Sequence, residues 1–310
     1  MKSYPVCLFL FNRPNLVSAC LDAISKSSKN NNIDLYIFID GPRNQGDESL
    51  VNQTIRIVNN FDYSIFNKVS ITNKTHNYGL ANSVISGVNK IFEDYREVIV
   101  IEDDLIVSKN FISFMIDALK KFEVNKRVGS ISGFSFAIRN KSSEDIYFHP
   151  RPNSWGWATW KDRWNQVEWE VDSDYLKKIN YTKKGFNKLG QDMDRMLQAY
   201  ILKKIDSWAI RWALSHWTNK WLALSPYKSK VINKGFGDPN ATNTFLDNNF
   251  KVLFDDTKKN KNFVYPKETI VIPRNHKIIN KYNSNILRIS QKFLPNIFWK
   301  LMNNIIYKYY

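Results

Sequence analysis

Glu97-Val98-Ile99-Val100-Ile101-Glu102-Asp103-Asp104 joins an unbroken apolar run directly to three carboxylates. A continuous run of β-branched residues suits a strand buried on both faces, and such strands belong to parallel sheets covered by helices. Three adjacent acids repel one another unless a cation or hydrogen-bond donors compensate them. A hard divalent ion shared with phosphate oxygens is one compensation. A helix N-terminus is another, with Ser108 available to cap a helix from about Lys109.

Working outward, the same strand-and-helix alternation recurs. Val6–Phe11 is a second apolar run, ended by Asn12-Arg13-Pro14, with Asn15 as the expected N-cap of a helix through Val17, Cys20 and Ile24. Asp34–Asp40 reads as a strand stopped by Gly41-Pro42, residues 47–59 as a helix, and Lys68–Thr72 as a short strand. Leu80, Val84, Val88 and Ile91 recur at helical spacing within Gly79–Phe92. Downstream, Asn110–Phe122 has helical periodicity and Val128–Phe136 reads as a strand. This alternation predicts βαβ units and a mainly parallel α/β sheet flanked by helices. Ligands of such sheets bind beyond the carboxyl ends of the strands, here Asn12-Arg13, Asp40-Gly41 and Glu102-Asp103-Asp104.

Composition bounds the alternatives. The chain has 310 residues, 43% hydrophobic and 15% aromatic, which excludes a globally disordered chain. Its two cysteines, Cys7 and Cys20, make neither a disulfide framework nor a metal cluster and favour a reducing compartment. No stretch approaches the roughly 20 apolar residues of a spanning helix, and the first residues lack the features of a signal peptide. A soluble or peripheral cytoplasmic protein is expected. The surplus of 45 basic over 29 acidic side chains, net +16, admits nucleic acid, an anionic membrane or an anionic substrate.

Nine of the ten tryptophans fall within residues 155–221. Tryptophan supplies large buried area, and so dense a group is also what a sugar-binding wall would contain. Beyond residue 284, Phe293, Phe298 and Trp299 alternate with Arg288, Lys292, Lys300 and Lys308 around Pro295. That pattern suits an amphipathic segment resting in a membrane interface, or a terminal helix packed on the domain. Glycine-rich phosphate loops, the G-x-G-x-x-G fingerprint, H-E-x-x-H and G-x-S-x-G are all absent. The four histidines are scattered and read as structural.

The segment REVIVIEDDLIVSKNFISFM, with NYGLANSVISGVNKIF before it and SISGFSF, SWGWATWKDRW, DSWAIRW and NKGFGDPNAT after it, resembles GT-A-fold glycosyltransferases. The resemblance is to the branch around N-acetylglucosaminyltransferase I and its bacterial relatives in polysaccharide and O-antigen synthesis. It covers roughly residues 4–280, a GT-A domain over 1–284 with a nucleotide-sugar half to residue 107, an acceptor half from 108 and the basic tail 285–310. It implies a metal-dependent hexosyl- or N-acetylhexosaminyltransferase using a nucleotide-diphospho-sugar, UDP-sugars favoured, and a glycan or lipid-linked glycan acceptor. Phe11, Asn12, Arg13, Asp40 and Gly41 would hold the nucleotide, and Asn77, Gly79 and Asn82 would lie near the donor. Asp104 would bind Mn2+ or Mg2+, with Glu102 and Asp103 positioning sugar and ribose. Arg211 is a further phosphate contact by virtue of its bidentate guanidinium. Trp155, Trp157 and Trp208 would line the acceptor side.

If the enzyme is inverting, a carboxylate base must deprotonate the acceptor hydroxyl; the sequence leaves inversion against retention open. In N-acetylglucosaminyltransferase I it lies in a Trp-Asp-Asp-Trp segment, whereas Trp208-Ala209-Ile210-Arg211-Trp212 stands here. Asp192, in GQDMDRM, is therefore the preferred candidate and Asp206 the second. Asn243 occupies a position where some bacterial relatives have a histidine. Two other functions compete. A nucleic-acid-binding module would use the charge and the aromatics, but the acidic triplet would repel phosphate and the basic residues are not clustered in one arm. A sugar nucleotidyltransferase would need a glycine-rich basic loop after the first strand, where Asn12-Arg13-Pro14 stands. The charge is thus divided between a diphosphate donor and an anionic inner leaflet, with the protein peripheral on the inner face of a bacterial membrane.

Overall fold

The computed structural model describes residues 2–236, 252–255, 257 and 262–284. The tail from residue 285 and the loop containing Asn243 lie outside the described residues.

The first half alternates strictly: β1 (Tyr4–Leu10), α1 (Pro14–Ser28), β2 (Ile33–Ile39), α2 (Gln45–Asn59), β3 (Lys68–Asn73), α3 (Leu80–Asp94) and β4 (Glu97–Glu102). Then follow β5 (Leu105–Val107), α4 (Phe111–Phe122), β6 (Val128–Ser132), β7 (Ile146–His149) and β8 (Trp157–Trp160). The short helices α5 (Lys161–Trp164), α6 (Ser173–Lys178) and α7 (Lys183–Phe186) lead to α8 (Met193–Ile201) and α9 (Trp208–Thr218). β9 (Leu222–Pro226), β10 (Val231–Asn233) and α10 (Pro273–Tyr282) complete the described elements.

Eight strands form one sheet in the order β3-β2-β1-β4-β8-β6-β9-β7. β3, β2, β1 and β4 are mutually parallel, β8 runs against both β4 and β6, and β9 is parallel to β6. Only β8 and the edge strand β7 oppose the common direction. The expected mainly parallel α/β sheet is therefore what the chain forms.

The period-2 geometry of a strand divides the core into two layers. Val6, Leu8 and Leu10 of β1, with Ile99 and Ile101 of β4, pack under α1, α2 and α4. Cys7 and Phe9, with Val98 and Val100, pack on the opposite face under α3 and α9. Both cysteines are buried and unoxidised, and burial pushes their thiols up. Among the described residues no helix is long and apolar enough to cross a membrane.

Local details depart from expectation for identifiable reasons. α1 begins at Pro14 and not after Asn15, because proline at the first helical position already has helical φ and needs no N–H partner. Asn110, and not Ser108, precedes α4; the Ser108 hydroxyl donates instead to the Asn110 side chain. The Val128 strand is shorter than expected and ends at Ser132, where the chain turns at Gly133. SWGWATW supplies a central strand, β8, whose neighbours β4 and β6 are far apart in sequence.

Candidate active site

The carboxyl ends of β1, β2, β3 and β4 lie side by side and deliver four loops to one edge of the sheet. β4 ends at Glu102, and Asp103 and Asp104 form the turn into β5. The Arg13 guanidinium, at the foot of α1, reaches both acids: Nη2 pairs with Asp103 and Nη1 with Asp104 Oδ2 at 3.0 Å. Burial opposes the charge on Arg13, but the two carboxylates more than offset it and raise its pKa.

One guanidinium faces three acids, and the deficit is visible. Burial, reinforced by the charges of Asp104 and Asp103, pushes Glu102 up to about 8. Burial raises Asp103 to about 6 even though Arg13 pulls the other way. Carboxylate oxygens are the donor type a hard divalent cation takes, and such a cation would restore the charge that burial disfavours on these acids. Among the described residues no three His, Cys, Asp or Glu side chains converge on one point. The turn thus offers Mn2+ or Mg2+ one or two carboxylates at most, so that further ligands would have to come from elsewhere, as is common for Mg2+.

The acidic turn has a roof. β10 pairs antiparallel with β5, the Lys234 N–H donates to the Asp104 carbonyl at 2.7 Å, and Gly235 follows. A Cβ on Gly235 would lie 2.5 Å from Asp104 Oδ2 and 2.8 Å from Arg13 Nη1, so only glycine fits over the ion pair. Trp155, half-buried, packs edge-on against Phe236 with centroids 5.6 Å apart.

Asn12 and Phe11 stand at the end of β1. The buried Asn12 amide donates to Asp47 at 2.6 Å, and the Arg43 guanidinium lies 5.0 Å above the Phe11 ring. Arg43 also grips Asp47, whose carboxyl its hydrogen bonds, helped by Asn12, hold down at about 2.

Asp40 is fully engaged by the loop after β3. It accepts from the Tyr78 N–H at 2.8 Å, from the Gly79 N–H and Asn77 Nδ2 at 3.0 Å each, and from the Gly41 N–H at 3.0 Å. Its carboxylate shapes the Asn77–Gly79 loop and has little capacity left for a ribose. Gly79 has φ +77°, a conformation available at low cost to glycine, and starts α3. Asn82, exposed on the first turn, donates to the Tyr78 carbonyl at 3.0 Å. Gly41 packs on the His76 backbone so closely that a Cβ would meet it at 2.5 Å.

The two candidate bases occupy opposite environments. Asp192 has no exposed surface, and the Arg151 fork donates to both its oxygens at 2.6 and 3.0 Å. A carboxylate sealed in this way cannot reach an incoming hydroxyl, which corrects the preference for Asp192. The Asp206 side chain is 57% exposed, and its Oδ2 lies 3.9 Å from a Cβ built on Gly79, beside the Asn77–Gly79 loop.

Arg211 is not a free phosphate ligand. Its Nη2 pairs with Asp206 Oδ1 at 3.1 Å, Nη1 donates to the Trp169 carbonyl at 3.0 Å and Nε to the Ser207 carbonyl at 3.2 Å. Its guanidinium lies 4.8 Å from the Tyr200 ring centroid. The residue holds Asp206 in place.

Two of the three expected acceptor tryptophans are core. Trp157 has no exposed surface and Trp208 is buried; they join Trp164, Trp212 and Trp221 beneath α3. Trp157 touches Trp208 at 5.0 Å and Trp164 at 5.6 Å between centroids. Trp155 alone of the three keeps accessible surface near the acidic turn.

No protein-family model matches the chain, and no curated protein matches it. Solved structures similar to it are distant. The 1–349 fragment of S. aureus TarS is 9% identical with a TM-score of 0.45, over 76% of this chain and 61% of that one. LgtC, a galactosyltransferase solved with donor and acceptor sugar analogues, is 8% identical with a TM-score of 0.35, over 56% and 64% respectively. A UDP-glucose pyrophosphorylase bound to UDP-glucose is 13% identical with a TM-score of 0.37, over 75% and 94%. This chain thus spans less than two thirds of the matched TarS and LgtC chains. Likenesses at this distance leave the chemistry to be read from the site itself.

Proposed function

We propose that the chain is a GT-A glycosyltransferase that moves a sugar from a nucleotide-diphospho-sugar, a UDP-sugar in the first instance, to a hydroxyl of a growing glycan. The observation that carries this reading is the meeting of three elements at one sheet edge. The Arg13-bridged acidic turn closes β4, the Asn77–Gly79 loop is tied to Asp40, and the exposed Asp206 is set against Gly79.

In this reading Phe11, Asn12 and Arg43 flank the nucleoside. Arg13 carries positive charge to the diphosphate, with Glu102 and Asp103 orienting the ribose and sugar. A divalent ion at Asp104, Mn2+ or Mg2+, would supply Lewis-acid stabilisation of the departing diphosphate. Asp206 accepts the proton of the attacking acceptor hydroxyl, held at the correct angle by Arg211; a positioned general base of this kind contributes about 10²–10⁴-fold. Trp155 offers an apolar wall on the side of the acidic turn.

The test is product analysis with a panel of UDP-sugars and saccharide acceptors in the presence of Mn2+. Release of UDP with a glycosylated acceptor is expected. Asp206→Asn is expected to lower turnover by at least 10²-fold while retaining UDP-dependent thermal stabilisation. Release of UTP on adding pyrophosphate, with no glycosylated acceptor, would establish a nucleotidyltransferase instead.

A further inference from the structure

Among the described residues, exposed large apolar side chains are few, and four of them lie close to one approach. Asp206 Oδ2 lies 3.9 Å from where a Cβ on Gly79 would stand. On one side of that approach stand Tyr78 and Leu80, 40% and 42% exposed, and on the other Leu202 and Ile205, 62% and 36% exposed. Consecutive Cα atoms are 3.8 Å apart. Leu80 and Ile205 are each one residue from this approach, Tyr78 adjoins Gly79 and Leu202 lies four residues before Asp206, so the four positions border one stretch of surface, a rim around the approach.

The rim is basic as well as apolar. Leu202-Lys203-Lys204-Ile205 is exposed throughout, and Lys74 sits 4.5 Å over the Tyr78 ring. The turn that carries the lysines is fixed. Lys203 adopts φ +54° directly after α8, and the N–H groups of Lys203 and Lys204 donate to the carbonyls of Tyr200 and Ala199 at 2.8 and 2.9 Å. That is a helix-ending geometry in which glycine or asparagine is usual. Here it projects two lysines flanked by two aliphatic side chains. Asp206, the acid at this approach, is paired with Arg211.

We propose that this rim docks the protein on an anionic lipid bilayer, with Leu202, Ile205, Leu80 and Tyr78 entering the headgroup boundary and Lys203, Lys204 and Lys74 facing the phosphates. Charge complementarity selects this occupant: lysines interleaved with exposed aliphatics match a surface that offers negative headgroups directly above hydrocarbon. A free nucleotide would use the lysines but not Leu202. The surface is distinct from the basic tail, whose pattern suggested membrane contact in the sequence. Its bearing on the acceptor rests on the transferase reading: docking here would set Asp206 at the bilayer face, where the acceptor hydroxyl of a lipid-anchored glycan would be presented.

The experiment is vesicle co-sedimentation of the full chain, which reads binding without turnover and so stands or falls separately from the transferase assignment. Wild type is compared on phosphatidylcholine vesicles and on vesicles with 30% phosphatidylglycerol. Lys203→Asn with Lys204→Gln removes two charges while keeping the left-handed turn, which asparagine tolerates. The expected loss of partition to the anionic vesicles is about thirtyfold, from about 1 kcal/mol per lysine. Leu202→Ser with Ile205→Ser is expected to weaken partition at least tenfold with circular dichroism unchanged. Partition of both double variants equal to wild type overturns the proposal, as does equal wild-type binding to neutral and anionic vesicles. A changed oligomeric state in the variants without changed partition overturns it in favour of a second copy of the chain.

Discussion

Gly235→Ala tests the roofed ion pair with a single methyl group. The added Cβ would start 2.5 Å from Asp104 Oδ2, and an ordinary contact begins near 3.4 Å, so the carboxylate or the Asn233–Phe236 strand end must yield by about 0.9 Å. Aspartate has too short a side chain to yield without leaving Arg13 Nη1, now 3.0 Å away. The strand end is itself fixed by the Lys234 bond to the Asp104 carbonyl and by the Gly235 N–H donating to Asn233 Oδ1 at 2.7 Å. Misplacing a reacting group by about 1 Å costs about 10²-fold, equivalent to about 2.7 kcal/mol of barrier. Overpacking a tight site adds about 1–3 kcal/mol of instability. The assay is kcat/KM with a UDP-sugar and a soluble acceptor, well below the melting transition and beside a thermal melt. Gly46→Ala serves as control, since a Cβ there approaches only the Asn44 side chain, at 3.1 Å. A Gly235→Ala protein with kcat/KM within threefold of wild type would refute the idea that this ion pair sits at the reacting centre.

Two further outcomes follow from the buried charges. Asp192→Asn strands the Arg151 guanidinium and should cost about 3–5 kcal/mol in urea unfolding, while kcat of the folded fraction stays within threefold; a collapse of kcat in folded protein would return the base role to Asp192. Burial lowers the His216 pKa from 6.5 to about 3. The unfolded chain therefore takes up a proton below pH 6.5 that the folded chain refuses, and stability falls as pH drops through that window. The His216 share between pH 7 and pH 5 is about 2 kcal/mol. In His216→Gln the difference in unfolding free energy between those two pH values should shrink by that amount, and an unchanged difference would argue against the assignment.

The strands and the sheet edge were readable because their signal is local. A parallel strand covered on both faces must be apolar throughout, so EVIVI and VCLFLF declare themselves, and the polar residues that end them mark the ligand side. Pairings across the chain carry no such signal. Nothing in Asn12-Arg13-Pro14 says that Arg13 reaches acids some 90 residues later, and the approach of Asp206 to Gly79 depends on how α9 lies against α3. The tryptophans misled because a sugar-binding wall and a core have the same composition. Only the pairing of β8 with β4 and β6 turns Trp157 inward. Arg211 misled for a related reason: a guanidinium suited to phosphate is equally suited to two backbone carbonyls and a carboxylate.

The position of β8 also decides how the molecule moves. This one strand is hydrogen-bonded to β4, which ends in the acidic turn, and to β6, which follows α4. The two halves share an unbroken ladder, so no hinge can run between them without tearing a central strand out of the sheet. Clamping two lobes together about β8 would break that ladder. Any enclosure of a ligand at this edge must use segments outside the ladder, such as the Asn77–Gly79 loop, whose rearrangement leaves the sheet untouched.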